Sequence, residues 1–274
     1  MIKEDMVKTV PVSVIVPCYN CELTVGRAVE SILSQTFPPK ELILINDASQ
    51  DGTLNIINDY RDRYPKWIET INLNTNVGAA SARNAGWEIA SCPYIAFLDA
   101  DDSWHPKKIE IQYTFMKANP KVDVVGHLYS KAFNSHYSEI NIDHINFKTR
   151  KIKAMSLLFK NYFSTPCVMM KRDLRIKFED HRRHSEDLFL WQNLAFNGAN
   201  MLRIEIRLAF IHKSAFSDHG LNSQLLKMES AELMNILAHF RDKNIGLHIF
   251  VLSAFYSILK FIVRVFIVTI KKLK

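Results

Sequence analysis

"PYIAFLDADDSWHP", residues 93–106, runs from an apolar stretch into three carboxylates within four positions, Asp99, Asp101 and Asp102, and reaches Pro106 soon after. The segment "YIAFL" (94–98) has the composition of a buried strand. Asp commonly opens a turn or caps a helix, and Pro106 suits the first turn of a helix that follows. Capping accounts for one Asp and leaves the others. Hard divalent cations prefer oxygen ligands, and Mg²⁺ or Mn²⁺ typically takes only one or two carboxylates while phosphates fill other positions. These residues alone leave both readings, turn chemistry and metal binding, open.

Upstream the chain alternates strand-like and helix-like runs. "VPVSVIVP" (10–17) is a β-branched strand stopped by Pro17, and "ELTVGRAVESILSQ" (22–35) has apolar residues at helical spacing. "ELILIND" (41–47) predicts a second strand, "DGTLNIINDYRDRY" (51–64) a second helix and "WIETINLN" (67–74) a third strand. "GAASARNAGWEIAS" (78–91) predicts a helix whose first face is small enough for close backbone approach. This alternation implies an α/β fold with a parallel sheet covered by helices, and such sheets bind ligands beyond the carboxyl ends of their strands. The acidic cluster stands at one of those ends. Residues 130–150 are polar and without a clear period, so they predict a loop. "IKAMSLLFKNY" (152–162) resumes helical spacing, "PCVMMK" (166–171) is strand-like, and "DLFLWQNLAFNG" (187–198) predicts an amphipathic helix ending at Gly198.

With 274 residues, 48% of them hydrophobic, the chain can bury a full core. A formal net charge of +7 suits an anionic partner without choosing among lipid head groups, phosphates and nucleic acid. Four scattered cysteines make no disulfide framework, and the charged start "MIKEDMVK" lacks the apolar core of a signal peptide, so a cytosolic, reducing location is expected. Cys18 and Cys21 form a C-x-x-C without a second close pair, and the histidines have no metal-ligand spacing. No G-x-G-x-x-G follows the first strand and no Gly-Lys-Ser/Thr phosphate loop occurs, which argues against a dinucleotide oxidoreductase and a P-loop ATPase.

Five segments, "SVIVPCYN", "LILINDASQDGT", "NVGAASARNAG", "YIAFLDADDSWHP" and "HSEDLFLW", occur in an order and spacing that resembles family-2 glycosyltransferases, nucleotide-sugar enzymes of the GT-A fold. The resemblance covers about residues 12–220. It implies a Rossmann-like donor half to about residue 130, an acceptor half over 131–220, and a separate C-terminal helical region, 221–274. It also implies that Pro17, Tyr19, Asn20 and Glu22 wall the nucleoside pocket and that Asp47 reads uracil, whose imide N–H matches an acceptor-only carboxylate. Gly78, Arg83 and Asn84 would contact the donor from the small-residue helix. Asp99 and Ala100 would lie at the ribose, Asp101 would hold Mn²⁺ or Mg²⁺, and Asp102 would share either role. In the second half Asp187 would be the general base, Glu186 its neighbour at the acceptor, and His184 and Trp191 acceptor-side residues.

The chain departs from the family pattern at "AFIHKSAFS" (209–217), where Ala209 and Phe210 stand in place of a Tyr-Arg pair whose Arg approaches the diphosphate. His212, Arg207 and Lys213 are the candidates to replace that contact. The processive Gln-x-x-Arg-Trp signature is missing, which favours transfer of a single sugar. The function implied is metal-dependent inverting transfer of a hexose from a UDP-sugar to a hydroxyl of a lipid-linked or surface glycan, with no nucleic-acid partner. A sugar-phosphate nucleotidyltransferase and a non-catalytic sugar-binding module are the alternatives.

"LHIFVLSAFYSILKFIVRVFIVTIKKLK" (247–274) is long and apolar, with Lys260 and Arg264 near its middle. Each cation costs roughly 2.5 to 3.5 kcal/mol at the centre of a membrane span against about 0.3 to 0.6 gained per large apolar residue, so insertion is marginal. At about 100° per residue, Ser253, Ser257, Lys260, Arg264 and Lys271 share one stripe. The stripe predicts an amphipathic helix lying at the cytoplasmic face of the plasma membrane, its cations meeting anionic lipid. Docking of the seam on the rest of the protein and a true span are the other two readings.

Overall fold

The computed structural model describes residues 9–131, 147–212 and 221–272. Four parallel strands form one half of the sheet: β1 (Val10–Cys18), β2 (Pro39–Asn46), β3 (Ile68–Asn72) and β4 (Tyr94–Phe97). The helices α1 (Val25–Leu33), α2 (Thr53–Arg63) and α3 (Ala79–Ile89) connect them. Helices pack on both faces, so β1 and β2 are buried along nearly their whole length, as their continuous Val/Ile/Leu runs require. The small face of α3 serves its purpose at Gly86, where an added Cβ would lie 2.7 Å from Ile15 and 2.8 Å from Ile45.

The second half breaks the parallel pattern. After β4 the chain turns through residues 98–102 into β5 (Ser103–Trp104) and α4 (Lys108–Ala118), then β6 (Val124–Lys131), β7 (Thr149–Ile152), α5 (Ala154–Leu157), β8 (Met169–Lys171), α6 (Glu186–Phe196) and β9 (Met201–Ile211). The strand order is β3-β2-β1-β4-β8-β6-β9-β5, with β7 also on β9. β8 runs antiparallel to both β4 and β6 and joins the two halves. β5 pairs antiparallel with β9, Ser103 opposite Phe210 and Trp104 opposite Ala209, which anchors the end of the acidic turn.

Two expectations change in this half. The helical period of 152–162 yields only the four-residue α5, because Ile152 is claimed by β7 and Phe163 is drawn into the core. Phe163 packs so closely on Gly126 that any Cβ there would meet its ring. "PCVMMK" gives a three-residue strand preceded by a 3₁₀ turn over Thr165–Cys167. β9, at 11 residues, is the long strand for which no expectation was formed. Most of the loop expected over 130–150 lies outside the described residues, as does Lys213.

The C-terminal helices α7 (Leu221–Arg241) and α8 (Leu247–Lys272) form a hairpin. Leu158, Ile236 and Ile245 make a small core between it and α5, and Phe240 stacks on Phe250 at 4.7 Å. The polar seam of α8 turns inward, contrary to the expectation that its cations meet lipid. Ser253 and Ser257 are buried, and Lys260 and Arg264 pair with Glu232 of α7 at 3.0 and 3.2 Å. Two cations near the middle of an apolar helix find a carboxylate within the fold at less cost than a lipid surface. The remaining face of α8 exposes Phe255, Ile262, Val263 and Phe266. By length and composition, Leu247–Ile270 is sufficient to cross a membrane.

Candidate active site

The carboxyl ends of β1, β2 and β4 open into a cavity of about 740 Å³. Pro17, Tyr19 and Asn20 form one wall, with Tyr19 half exposed. Asn20 adopts a left-handed φ of 46°, and its side-chain oxygen accepts from the Gln50 backbone N–H at 2.8 Å. Glu22 reaches the same loop, accepting from the Gly52 N–H at 2.6 Å. The expectation for Glu22 is thus corrected: it ties the loops after β1 and β2 together and does not line the cavity. Cys18 and Cys21 do line it as free thiols.

Asp47 follows β2 and is almost fully buried. Its two carboxylate oxygens accept from the backbone N–H groups of Val77 and Gly78 at 2.8 and 2.9 Å. Gly78 presents its N–H there with a φ of 87°, a conformation that disfavours a side chain. The carboxylate therefore fixes the entry to α3, and it keeps lone pairs for a ligand because each oxygen has two.

Arg83 is the hinge of the site. It is 4% exposed, and its guanidinium donates to Asp99 at 2.7 Å and to Glu186 at 3.2 Å while lying over the Phe178 ring. Burial works against its charge, but Asp99 and Glu186 more than offset that, and its pKa is raised. One buried cation thereby joins the acidic turn to the start of α6. Asn84, by contrast, brackets the backbone of Phe178 and the side chain of Asp180 and stays out of the cavity, which corrects the expected donor contact.

Asp99, Ala100 and Asp101 line the cavity. The turn is held by the Asp102 N–H donating to the Asp99 carbonyl at 3.0 Å and by Arg27, whose guanidinium donates to the Asp101 carbonyl at 2.5 Å. Asp102 is 3% exposed and accepts from the backbone N–H of His212, so it faces the end of β9 and not the cavity. His212 bonds Ser103 through Nε2 at 2.8 Å, and burial lowers its pKa. Asp102 and His212 both stand outside the lining of the cavity, with His212 near enough to Asp101 to feel its charge. Among the described residues no three His, Cys, Asp or Glu side chains converge as a complete metal site. A hard cation that shares its shell with phosphates needs only one or two carboxylates, and Asp99 and Asp101 meet that requirement.

On the opposite wall stand Arg182, Arg183, His184 and Glu186. His184 was implied as an acceptor-side residue, yet it lines the donor-side cavity together with both arginines. Two adjacent arginines just ahead of Glu186 and Asp187 were the signal in the sequence. Arg182 donates to Asn235 of α7 at 2.7 Å, and Arg183 to Asn76 at 3.1 Å. Ser185, with a φ of 56°, begins α6, whose first turn carries Glu186 and Asp187 where the helix dipole favours anions. Trp191 is fully buried against Phe163 and Phe178, a core residue instead of an acceptor contact.

Asp187 lines a second cavity, of about 420 Å³, formed with β6, the segment after α5 and β9. Loss of solvent, then the charge of Glu186, raises its pKa to about 7. Asn161 donates to one oxygen at 3.1 Å and the Leu188 N–H to the other at 2.6 Å. His127 lines the same cavity, and burial holds its pKa at about 3, so it is neutral at ordinary pH. The two cavities flank the start of α6, with a carboxylate in each.

Comparison with known proteins agrees with this geometry. The family model described as "Glycosyl transferase family 2" matches residues 13–178. An uncharacterized glycosyltransferase of Haemophilus influenzae is 36% identical over 179 residues, 62% of this chain and 68% of that protein. The Escherichia coli UDP-Glc:alpha-D-GlcNAc-diphosphoundecaprenol beta-1,3-glucosyltransferase WfgD is 33% identical over 67% of this chain and 69% of its own. Its counterpart WfaP is 46% identical, but the match spans 39% of this chain and 41% of that relative. Among solved structures, Pyrobaculum calidifontis mannosyltransferase PcManGT with GDP-Man and Mn²⁺ aligns with a TM-score of 0.67 at 17% identity, covering 91% of this chain and 70% of that one. S. aureus TarS with UDP-GlcNAc aligns at 0.63 and 20% identity, over 82% of this chain and 66% of that one. At these identities the structures speak to the fold, which is of the expected GT-A class.

Proposed function

The chain belongs to glycosyl transferase family 2 and is a glycosyltransferase, and from that premise we propose that it moves a single hexose from a UDP-sugar to a hydroxyl of a lipid-linked glycan at the cytoplasmic membrane face. The observation that carries the reading is the Arg83 bridge, which sets Asp99 and Glu186 across one cavity with Asp187 just behind. The alternative of a nucleotidyltransferase lacks a Gly-rich basic loop after β1, where this chain has "PCYNCEL".

In this reading the nucleoside lies against Pro17 and Tyr19, with a remaining lone pair of Asp47 for the uracil N–H. Asp99 and Asp101 hold Mn²⁺ or Mg²⁺. The ion, when bound, neutralises charge on the departing diphosphate. Phe210, opposite Ser103 in the β5–β9 pairing, stands where the family pattern has its Arg, so that position offers no cation. Arg182 and Arg183 on the facing wall supply one instead. Asp187 takes the proton of the attacking hydroxyl, held in orientation by Asn161 and the Leu188 N–H. A single base with attack opposite the leaving group gives inversion.

Relatives named for diphosphoundecaprenol substrates support a lipid-linked acceptor, and the exposed apolar face of α8 supports an interfacial location. The assay is nucleotide release by the full-length chain from a panel of UDP- and GDP-sugars with Mn²⁺, with and without membrane lipid extract. UDP release from one or two UDP-sugars, stimulated by extract, is expected; activity confined to GDP-sugars, or release of inorganic diphosphate, would refute it. Because Lys260 and Arg264 are paired within the fold, high-salt washing should leave the protein on membranes and detergent should free it. Release by salt alone would mean that surface charge, and not the apolar face, holds it.

A further inference from the structure

The cavity behind Asp187 has more positive charge than a neutral sugar acceptor requires. Its lining sets three cations, Lys160, Arg203 and Arg207, against one carboxylate, Asp187. Arg203 is largely satisfied, with Glu205 accepting from its guanidinium at 2.9 and 3.0 Å. Lys160 and Arg207 are exposed and have no carboxylate partner among the described residues. The donor-side cavity differs in kind, since its arginines face several carboxylates suited to a cation-bridged phosphate. Behind Asp187 an anion would meet ammonium and guanidinium groups directly.

The position of Lys160 adds a second observation. Its neighbour Phe159 packs edge-on against Tyr256 of α8 at 5.5 Å, and the Phe159 carbonyl accepts from Lys260 at 3.4 Å. The exposed apolar face of α8, with Leu252, Phe255, Leu259 and Phe266, therefore begins one residue from a cation whose neighbour is the Tyr162 ring and which has no carboxylate partner among the described residues. A ligand that fits both is an amphiphile whose phosphate adjoins a long apolar chain.

We propose that this cavity binds the phosphate or diphosphate joining the acceptor sugar to its lipid, with Lys160 and Arg207 as the ligands and the chain leaving along α8. The proposal rests on the reading of Asp187 as the acceptor-side base. It makes the charged link, and not only the sugar, the feature by which the acceptor is recognised.

The test is a binding titration of the full-length chain in non-ionic detergent with chelator, using farnesyl diphosphate, inorganic diphosphate and farnesol. Farnesyl diphosphate should bind at least about tenfold more tightly than either fragment, since each lacks one class of contact. Lys160→Ala and Arg207→Ala should each weaken it roughly tenfold, and Lys160→Arg should retain binding. Both side chains are exposed, so thermal melts of the variants should match the parent. Equal binding of farnesol, equal binding of inorganic diphosphate, or undiminished binding by the double alanine variant would each overturn the proposal. A parallel titration with UDP and Mn²⁺ reads the other cavity: failure there would sink the nucleotide-sugar reading and leave this one to its own result.

Discussion

Asp187→Asn should keep its fold and its donor affinity while losing between about 10² and 10⁴ in turnover, the usual contribution of a positioned general base. The amide retains the volume of the carboxyl and one oxygen to accept from Asn161 or the Leu188 N–H, so the start of α6 has no cause to move. It cannot take a proton at neutral pH. The parent enzyme should also show an acid limb in kcat/KM, because a base with a pKa near 7 is largely protonated at pH 6 and ionised at pH 8. The rate should rise across that interval and the Asn variant should lack the limb. Stability should move the other way: a carboxyl whose folded pKa lies above its unfolded value stabilises at low pH, and that contribution fades as pH rises through 7. The melting temperature of the parent should therefore fall relative to Asp187→Asn between pH 6 and pH 8. Nucleotide release and thermal melts at several pH values read both effects. Collapse of donor affinity with normal turnover of bound donor would remove Asp187 from the role of base.

How far the sequence disclosed this site depends on whether a residue's surroundings are local. The β1–β4 half was legible because each strand and helix has its own period and the ligand-binding edge follows from parallel connection. Pro17, Tyr19, Asp47, Arg83, Asp99 and Asp101, which the resemblance to family-2 glycosyltransferases implies for the donor site, line one cavity, and Glu186, implied for the acceptor side, joins them there. Glu22, Asn84 and Asp102 occupy the same motifs yet serve backbone N–H groups or neighbouring loops, because a motif locates a residue along the chain and leaves its rotamer to contacts that are distant in sequence. For Asp102 the partner is 110 positions away. The resemblance implies Trp191 as an acceptor-side residue, but α6 packs between the sheet and α7, and the ring is buried against Phe163 and Phe178. The same cause misled the seam of α8. Its stripe was legible, whereas its partner Glu232 lies on a different helix, and nothing in the period of α8 specifies which surface a stripe will meet.

Asp101→Ala should abolish metal-dependent turnover, by at least about 10³, and leave the melting temperature within a degree or two of the parent, since loss of charge neutralisation at a leaving group is worth several kcal/mol and each 1.4 kcal/mol is tenfold. The separation of effects follows from how the acidic turn is built. Its path is fixed by backbone groups: the Asp102 N–H on the Asp99 carbonyl, Arg27 on the Asp101 carbonyl, and the pairing of Ser103 and Trp104 with β9. None of these requires the Asp101 side chain. Asp99 is different, because Asp99→Ala leaves the buried Arg83 with Glu186 alone and should destabilise the fold as well as the site. The two variants therefore make an internal control. Nucleotide release as a function of Mn²⁺ concentration, together with the melting shift produced by UDP with and without Mn²⁺, distinguishes the outcomes. In Asp101→Ala the added shift from Mn²⁺ should disappear while the shift from UDP alone persists, because Pro17, Tyr19 and Asp47 remain in place. A well-folded Asp101→Ala that turns over donor normally and still gains stability from Mn²⁺ would show that the cation is held elsewhere.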